Sequence, residues 1–176
     1  VSSNMLSSMQ NEQLLKADTA SDKLSQWLNN SLSIVESFAN TLAKSGAPLR
    51  NNPDYQFYLQ QTLKTKKFYD LYYGLEEDGY SWFTTWDKYN DYDPRKRPWY
   101  KASKQAGKAL ITDPYLGVDK AQQLYIAITA PIVRNKQFIG VASGDLTLDF
   151  VKQTVLDIKL DLGGFAFLAE RNGNIL

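Results

Sequence analysis

A ten-residue stretch, "DYDPRKRPWY" at positions 91–100, places three basic side chains among two prolines, a tryptophan and two tyrosines. The planar guanidinium of Arg97 can hold a carboxylate through two parallel, charge-assisted hydrogen bonds. Trp99 offers an indole N–H and Tyr100 a hydroxyl, and both can donate to an anion. The two prolines restrict the backbone, which reduces the entropy lost when a ligand orders the loop. The stretch is therefore a candidate clamp for a small carboxylate.

Two other interpretations of this stretch stay open. Trp99 and Tyr100 can be core rings beside a solvated basic turn, because aromatic side chains mostly fill structural cores. The run "PRKRP" can also contact a phosphate backbone. The whole chain carries 20 basic and 19 acidic side chains, a net charge of +1. Nucleic-acid-binding proteins usually carry a basic excess, so this balance predicts that nucleic acid is not a partner.

A second candidate is Asp145, which lies in "ASGDLTL" inside a run otherwise suited to burial. A carboxylate in a strand interior is costly unless it meets a cation or several hydrogen-bond donors. The alternative is that Asp145 caps the next turn or lies in water at the strand end. Upstream, "DPY" at positions 113–115 is compatible with an ordinary turn. An anion clamp in one loop and an acid on a strand together suit a zwitterionic ligand.

The chain contains no histidine and no cysteine. Disulfides, thiolate zinc sites and the commonest general base are therefore excluded, and we predict no metal, no cofactor and no catalytic residue. The expected class is a binding domain rather than an enzyme. A carboxylate-based hydrolase is the distant alternative, with a glycosidase-like pair drawn from Glu76, Glu77 and Asp145. A ligand-free interaction module with a dimerising N-terminal helix is a further alternative.

Helical spacing dominates the first forty-odd residues. Apolar side chains recur there at steps of three and four, which predicts one long helix or two stacked helices. These side chains are Leu24, Leu28, Val35, Phe38 and Leu42. Gly46 and Pro48 end this helix. Asn52 and Pro53 form a cap and first-turn pair that begins a second helix, running to about residue 66.

From residue 68 onward the pattern changes to strands. "FYDLYYGL" and "YSWFTTW" flank the turn "EEDG", and "QQLYIAITAPIV" and "QFIGVASGDLTL" form a hairpin around "RNK" at 134–136. "PRKRPWYKASKQAG" is a short helix or turn, "LDFVKQTVLDIKL" returns to helical spacing, and "GFAFLAE" is a last strand. Long helices followed by hairpin-connected strands indicate an α+β domain, in which helices cover an antiparallel sheet.

The two ends of the chain indicate a segment of a longer protein. The chain begins at Val1 and stops at Leu176, just after "ERNGN", a turn sequence that should lead into another strand. The longest apolar run, residues 125–133, is far shorter than the ~20 residues that a membrane-spanning helix needs. We therefore expect a soluble domain that is part of a longer protein, the parent. This sequence gives no information about membrane segments elsewhere in the parent.

Taken in order, "YDPRKRPWYKA", "ITDPY", "FIGVASGDLTLDF" and "GGFAFLAERNGNIL" resemble the membrane-distal module of double Cache (dCACHE) sensor domains. These are the extracytoplasmic ligand-binding regions of bacterial chemoreceptors, the methyl-accepting chemotaxis proteins, and of some histidine kinases and cyclases. The resemblance covers nearly the whole chain. It implies a long N-terminal helix over residues 1–50, packed on the PAS-like antiparallel sheet of a Cache module over residues 51–176.

The amino-acid-binding branch of that family uses one arginine, one aspartate and four aromatic residues, each a tyrosine or a tryptophan. Position by position, the resemblance carries this set to Tyr92, Arg97, Trp99, Tyr100, Tyr115 and Asp145. It implies that Arg97, Trp99 and Tyr100 hold the ligand carboxylate. The other three residues would line the rest of the pocket, with Asp145 on the ammonium group.

One position departs from the pattern of the amino-acid binders. They commonly carry a second aspartate two residues after the "DPY" tyrosine, where this chain has Gly117. Asp119 is a candidate substitute close by in sequence, but two extra residues in a loop need not point the same way. A pocket with one acid favours weaker amine binding, or an organic acid without an amine. The side chain of the ligand would meet a distal wall, for which Tyr73, Trp82 and Trp86 are candidates.

The resemblance also implies a cellular setting. The domain would lie on the periplasmic side of the bacterial inner membrane, in a membrane-anchored parent that is a homodimer. There it would bind a small molecule, an amino acid in the first place, and signal across the membrane. The alternative is an organic-acid sensor domain of a chemoreceptor or histidine kinase.

Overall fold

The computed structural model describes residues 3–65, 67–118, 120 and 122–161. Its α-helices are α1 (Ser3–Lys44), α2 (Pro53–Leu63), α3 (Pro98–Ala106) and α4 (Leu148–Asp161). Its strands are β1 (Asp70–Leu75), β2 (Ser81–Phe83), β3 (Leu110–Ile111), β4 (Tyr115–Leu116), β5 (Leu124–Arg134) and β6 (Gln137–Thr147). The last strand expected from the sequence, in "GFAFLAE", lies outside the described residues.

The chain divides into two compact units. One contains the residues up to Asn29 together with those from Val151, and the other is Asn30–Phe150. The expected boundary near residue 50 stays a prediction. In the first unit, α1 exposes the side chains of Met5, Leu6 and Met9. In the described part of the chain, no helix combines the length and apolar character needed to cross a membrane.

The second unit is built on one antiparallel sheet in the order β2-β1-β6-β5-β3, with β4 also paired to β5. The α+β architecture expected from the sequence is therefore confirmed. Strands β5 and β6 form the predicted hairpin, and the two residues between them, Asn135 and Lys136, have φ values of 50° and 64°. Positive φ at both central positions gives a turn whose twist matches that of the flanking strands.

Alternation along β1 gives the sheet two different faces. Tyr72 pairs with Phe83 of β2 and packs against Trp99 of α3, with ring centroids 4.9 Å apart. The next residue, Tyr73, points to the opposite face, where its ring lies 6.3 Å from Phe38 in the C-terminal part of α1. Successive residues of a strand face opposite sides of the sheet, so these two tyrosines belong to different cores.

Helix α2 begins where the sequence predicts. The side chain of Asn52 accepts hydrogen bonds from the backbone N–H groups of Asp54 and Tyr55, at 3.0 and 3.5 Å. Pro53 occupies the first helical position, where its missing N–H costs nothing. On the same side of the sheet as α1, the Arg134 guanidinium donates to the carbonyls of Leu42 and Ala43 and so covers the end of α1.

Candidate ligand-binding site

A cavity of about 120 Å³ lies on the face of the sheet that carries Tyr72. Eight aromatic rings, two carboxylates and one guanidinium are among its described lining groups. Of the six residues that the sequence singles out, five line this cavity: Tyr92, Arg97, Trp99, Tyr115 and Asp145. The structure thus brings together residues from the loop before α3, from β4 and from β6.

Two prolines set the position of Arg97. Residues 94–96 form a 3-10 turn that begins at Pro94 and is capped by the side chain of Asp93, and Pro98 is the first residue of α3. A proline disfavours helical geometry at the residue before it, and Arg97 is accordingly extended, with φ −86° and ψ 150°. The predicted short helix is thus two elements with Arg97 at the break between them.

The Arg97 side chain lies along the cavity wall. Its Nη2 donates to the carbonyl oxygen of Leu116 at 2.9 Å. Its guanidinium carbon lies 5.9 Å from the centroid of the Tyr115 ring, within the range of a cation–π contact. The backbone carbonyl and the ring together fix the direction of the guanidinium before any ligand is present.

Trp99 and Tyr92 form a linked pair beside Arg97. The buried Trp99 donates from its indole Nε1 to the hydroxyl oxygen of Tyr92 at 3.3 Å. Burial raises the pKa of Tyr92 above its ordinary value, so this phenol stays neutral. A neutral hydroxyl that accepts from Trp99 keeps its own O–H proton to donate to an anion.

Asp145 lies within β6, two residues before its end, and is half-buried. Its Oδ1 accepts a hydrogen bond from the Tyr72 hydroxyl at 2.5 Å and a longer one from the Tyr115 hydroxyl at 3.4 Å. Burial raises the pKa of both tyrosines, and the charge of Asp145 adds to the effect. Both phenols therefore stay protonated and act as donors to Asp145.

Tyr100 is the predicted site residue that the structure does not bring to the cavity. Its hydroxyl donates to Glu76 Oε2 at 2.9 Å, and its ring packs beside Trp99. Consecutive residues of an α-helix point about 100° apart, so Tyr100 points in a different direction from Trp99, which lines the cavity. The other oxygen of Glu76 accepts from Lys104 at 2.5 Å.

Glu76 is a structural carboxylate in this geometry. Burial acts to raise its pKa, but the hydrogen bonds from Lys104 and Tyr100 hold the pKa below its ordinary value. It is absent from the described lining of the cavity that contains Asp145. The structure therefore gives no support to a hydrolytic pair formed by Glu76 and Asp145.

The predicted distal wall is wrong at two of its three positions. Trp86 lines the cavity, whereas Tyr73 lies on the opposite face and donates to the Leu49 carbonyl at 2.6 Å. Trp82 is the cross-strand partner of Tyr73 and shares its face. Side chains alternate between the two faces of the sheet along β1 and β2. Tyr72 and Phe83 therefore line the cavity, and their neighbours do not.

Sequence reasoning missed Asp70, a buried lining residue at the start of β1. Its Oδ1 accepts from the backbone N–H groups of Leu71, Thr84 and Thr85 at 2.8, 3.1 and 3.1 Å. Burial nevertheless raises its pKa from 3.8 to about 6. The signal was present in "FYDLYYGL", where Asp70 stands two positions before Tyr72 and therefore faces the same side.

Comparison with known proteins identifies relatives over nearly the whole chain. A family model described as Cache domain matches residues 2–176. The methyl-accepting chemotaxis protein PctB of Pseudomonas aeruginosa is 37% identical over 162 residues, which cover 90% of this chain and 24% of PctB. PscA of Pseudomonas syringae is 28% identical, over 98% of this chain and 27% of its own length. The chain thus spans about a quarter of these relatives.

Three solved structures similar to this chain are ligand-binding domains of chemoreceptors. The P. aeruginosa PctC domain in complex with GABA gives a TM-score of 0.72 at 28% identity, covering 95% of this chain and 74% of that domain. The PctB domain with L-Arg gives 0.70 at 30% identity, over 90% and 59%. The Pseudomonas fluorescens CtaA domain with L-valine gives 0.72 at 25% identity, over 86% and 67%.

Proposed function

The chain belongs to the Cache domain family, and from that premise we propose that it is the ligand-sensing domain of a bacterial chemoreceptor. Its ligand is a small molecule with a carboxylate, in the first place an amino acid. One observation carries the proposal: a single cavity holds the Arg97 guanidinium and the Asp145 carboxylate, with Tyr115 in contact with both. Opposite charges at two places in one cavity suit a zwitterion.

The size of the cavity supports a small ligand. Pockets for drug-sized molecules measure roughly 300–1,000 Å³, whereas this cavity measures about 120 Å³. Its lining is largely aromatic, with charged groups at few positions. Such a site takes a ligand of few heavy atoms, whose orientation is fixed by its charged ends.

The carboxylate of the ligand would bind at Arg97. A guanidinium has five N–H donors, so the hydrogen bond to Leu116 leaves others for a ligand. Tyr92 supplies a neutral hydroxyl beside it. Helix α3 begins at the next residue, and the Arg97 side chain does not cap it. The positive end of the helix dipole therefore also favours an anion here.

The ammonium group would bind at Asp145. Tyr72 and Tyr115 hold one oxygen of this carboxylate by donating to it. A carboxylate has about four lone-pair sites on two oxygens, so it can accept from an ammonium group as well. An amino acid bound in this way would bridge the loop before α3 and strand β6.

In the longer receptor that would contain this domain, an amino acid that bridges the loop before α3 and strand β6 is the proposed source of the signal. The far face of the same sheet packs on the C-terminal part of α1 through Tyr73 and Phe38. A ligand that draws the α3 loop onto β6 would shift this helix, and a homodimeric, membrane-anchored parent would carry the shift from the periplasm inward. Typical coupling free energies are ~1–3 kcal/mol, set by the difference in affinity for the two states. We propose no catalysis.

Calorimetric titration of Arg97→Ala with L-alanine, L-valine and 4-aminobutyrate tests the clamp. Losing two charge-assisted hydrogen bonds should weaken binding on the order of 100-fold. The melting temperature should stay near that of the wild type. Lys96→Ala is the matched control, because it removes an exposed positive charge one position away and outside the described cavity lining. Unchanged affinity in Arg97→Ala would refute the assignment.

A further inference from the structure

The register of the sheet places two acidic residues side by side. Asp70 of β1 is the direct cross-strand partner of Asp145 of β6 in an antiparallel pair. Residues directly opposite each other on such strands have their Cβ atoms roughly 4.5–5.5 Å apart and point to the same face. Both residues line the same cavity. Like charges in this arrangement oppose each other unless a cation lies between them.

None of the described ion pairs includes Asp70. Arg97 is the one charged cationic side chain in the described lining, and it donates to Leu116 near Tyr115. Gly117 and Val118, also in the lining, contribute no charge. Among the described residues, Asp70 therefore accepts hydrogen bonds from backbone amides and from Thr85.

Asp70 is built to present a charged carboxylate. Three backbone N–H groups donate to its Oδ1, and Thr85 adds a side-chain hydrogen bond. These donors favour the ionised form and fix the side chain in place. Its exposed fraction is only 4%, and burial still raises its pKa to about 6. The donors therefore offset only part of the desolvation, and a cation at this position would offset more.

Resting on the function proposed above, we propose that Asp70 is a specificity-determining residue that holds the ligand's ammonium group together with Asp145. A primary ammonium has three N–H donors, enough to serve both carboxylates at once. A ligand with a carboxylate but no amine would offer Asp70 no ammonium and would add a negative charge to the cavity. The site then selects amino acids over organic acids, although position 117 is a glycine.

The test compares Asp70→Asn with the wild type on matched ligands: L-alanine with propionate, L-valine with 3-methylbutanoate, and 4-aminobutyrate with butyrate. The asparagine oxygen can still accept from the backbone amides, so the fold should persist, which its melting temperature checks. Affinity for the amino acids should fall about 10-fold or more, as expected for one hydrogen bond between charged groups. Affinity for the deaminated acids should stay the same or rise.

Asp87→Asn is the control, because it neutralises an exposed acid in the loop after β2, outside the described lining. An equal loss for both members of each ligand pair would overturn the proposal, since a structural role weakens both alike. Unchanged affinity of Asp70→Asn for the amino acids would also overturn the proposal. A wild type that binds none of these amino acids would instead overturn the proposed function itself, and the inference with it.

If the variant fails to fold, NMR titration of the wild-type Asp70 carboxyl carbon gives the same decision. Amino-acid binding should lower the pKa of Asp70 from its value in the free domain, because the ammonium stabilises the charged form. Binding of the deaminated acid should leave this pKa unchanged or raise it. The opposite pattern would overturn the role of Asp70.

Discussion

At the scale of single residues, the cavity holds its charges in fixed positions before a ligand arrives. Asp145 is held by two tyrosine hydroxyls, Asp70 by three backbone amides, and Arg97 by the Leu116 carbonyl. Groups already in place lose little conformational entropy on binding, so more of the interaction energy contributes to affinity. The proposed preference for a zwitterionic ligand rests on this arrangement.

Asp70 should make the stability of the unliganded domain depend on pH. Its pKa is about 6 in the folded state against an ordinary value of 3.8, so the folded state binds more protons between these values. Stability therefore falls as pH rises through this window, by about 3 kcal/mol for a difference of this size. From pH 3.5 to pH 7, the free energy of unfolding of Asp70→Asn should rise by that amount relative to wild type, measured by urea denaturation.

Asp87→Asn separates this effect from a general change in net charge. Relative to the wild type, its free energy of unfolding should change little between the same two pH values, because the side chain is exposed. A constant difference between Asp70→Asn and the wild type would show that the carboxyl is not destabilised by burial.

The sequence was informative about site residues to different degrees. The motif resemblance led to Arg97 and Asp145, which the structure places in one cavity. It could not show that Tyr100 turns away, because its partner Glu76 lies 24 positions earlier and contacts at that separation need the fold. Asp70 could have been predicted as a site residue, because side chains alternate along β1 and Tyr72, two positions later, faces the site. The missed signal was an acidic residue on the cavity face of a buried strand.

At the scale of elements, the site depends on how closely the 3-10 turn and α3 approach β1. Gly74 permits this approach: a Cβ atom at this position would lie 2.9 Å from Pro94 and 3.1 Å from Trp99. The hairpin of β5 and β6 was predictable from its residues, since long alternating strands flank a short polar turn. Strands β3 and β4, with two residues each, are too short to leave a pattern in sequence.

Gly74→Ala should therefore lower both stability and ligand affinity. The added methyl group must push Pro94 and Trp99 away from the sheet, and overpacking of this kind costs typically ~1–3 kcal/mol. Because Arg97 lies between these two residues in sequence, its guanidinium should shift as well. Urea denaturation and calorimetric titration with an amino acid measure the two effects.

Gly107→Ala serves as the comparison. Gly107 ends α3 at φ 64°, with open space where a Cβ atom would lie. Alanine there should cost about 1–2 kcal/mol of stability through left-handed backbone strain, without changing ligand affinity. If Gly74→Ala also left affinity intact, the close packing of α3 on β1 would not control the site.

At the scale of the whole molecule, the two faces of one sheet connect the site with α1. Tyr72 lies in the cavity, and Tyr73 packs on α1 from the other side. A change in the position of β1 would displace both tyrosines, because protein cores are close-packed and transmit small displacements. This continuity is the physical basis for the proposed role of the domain as a sensor rather than as a passive binding module.

We propose that the cavity binds a zwitterion through charges at both ends. The most direct measurement is a thermal-shift titration of the wild-type domain with each amino acid and its deaminated acid at equal concentrations. Binding to the folded state must raise the melting temperature. We expect a clear rise with amino acids and a much smaller one with their deaminated partners. Equal rises with both, or a rise with the deaminated acids alone, would contradict it.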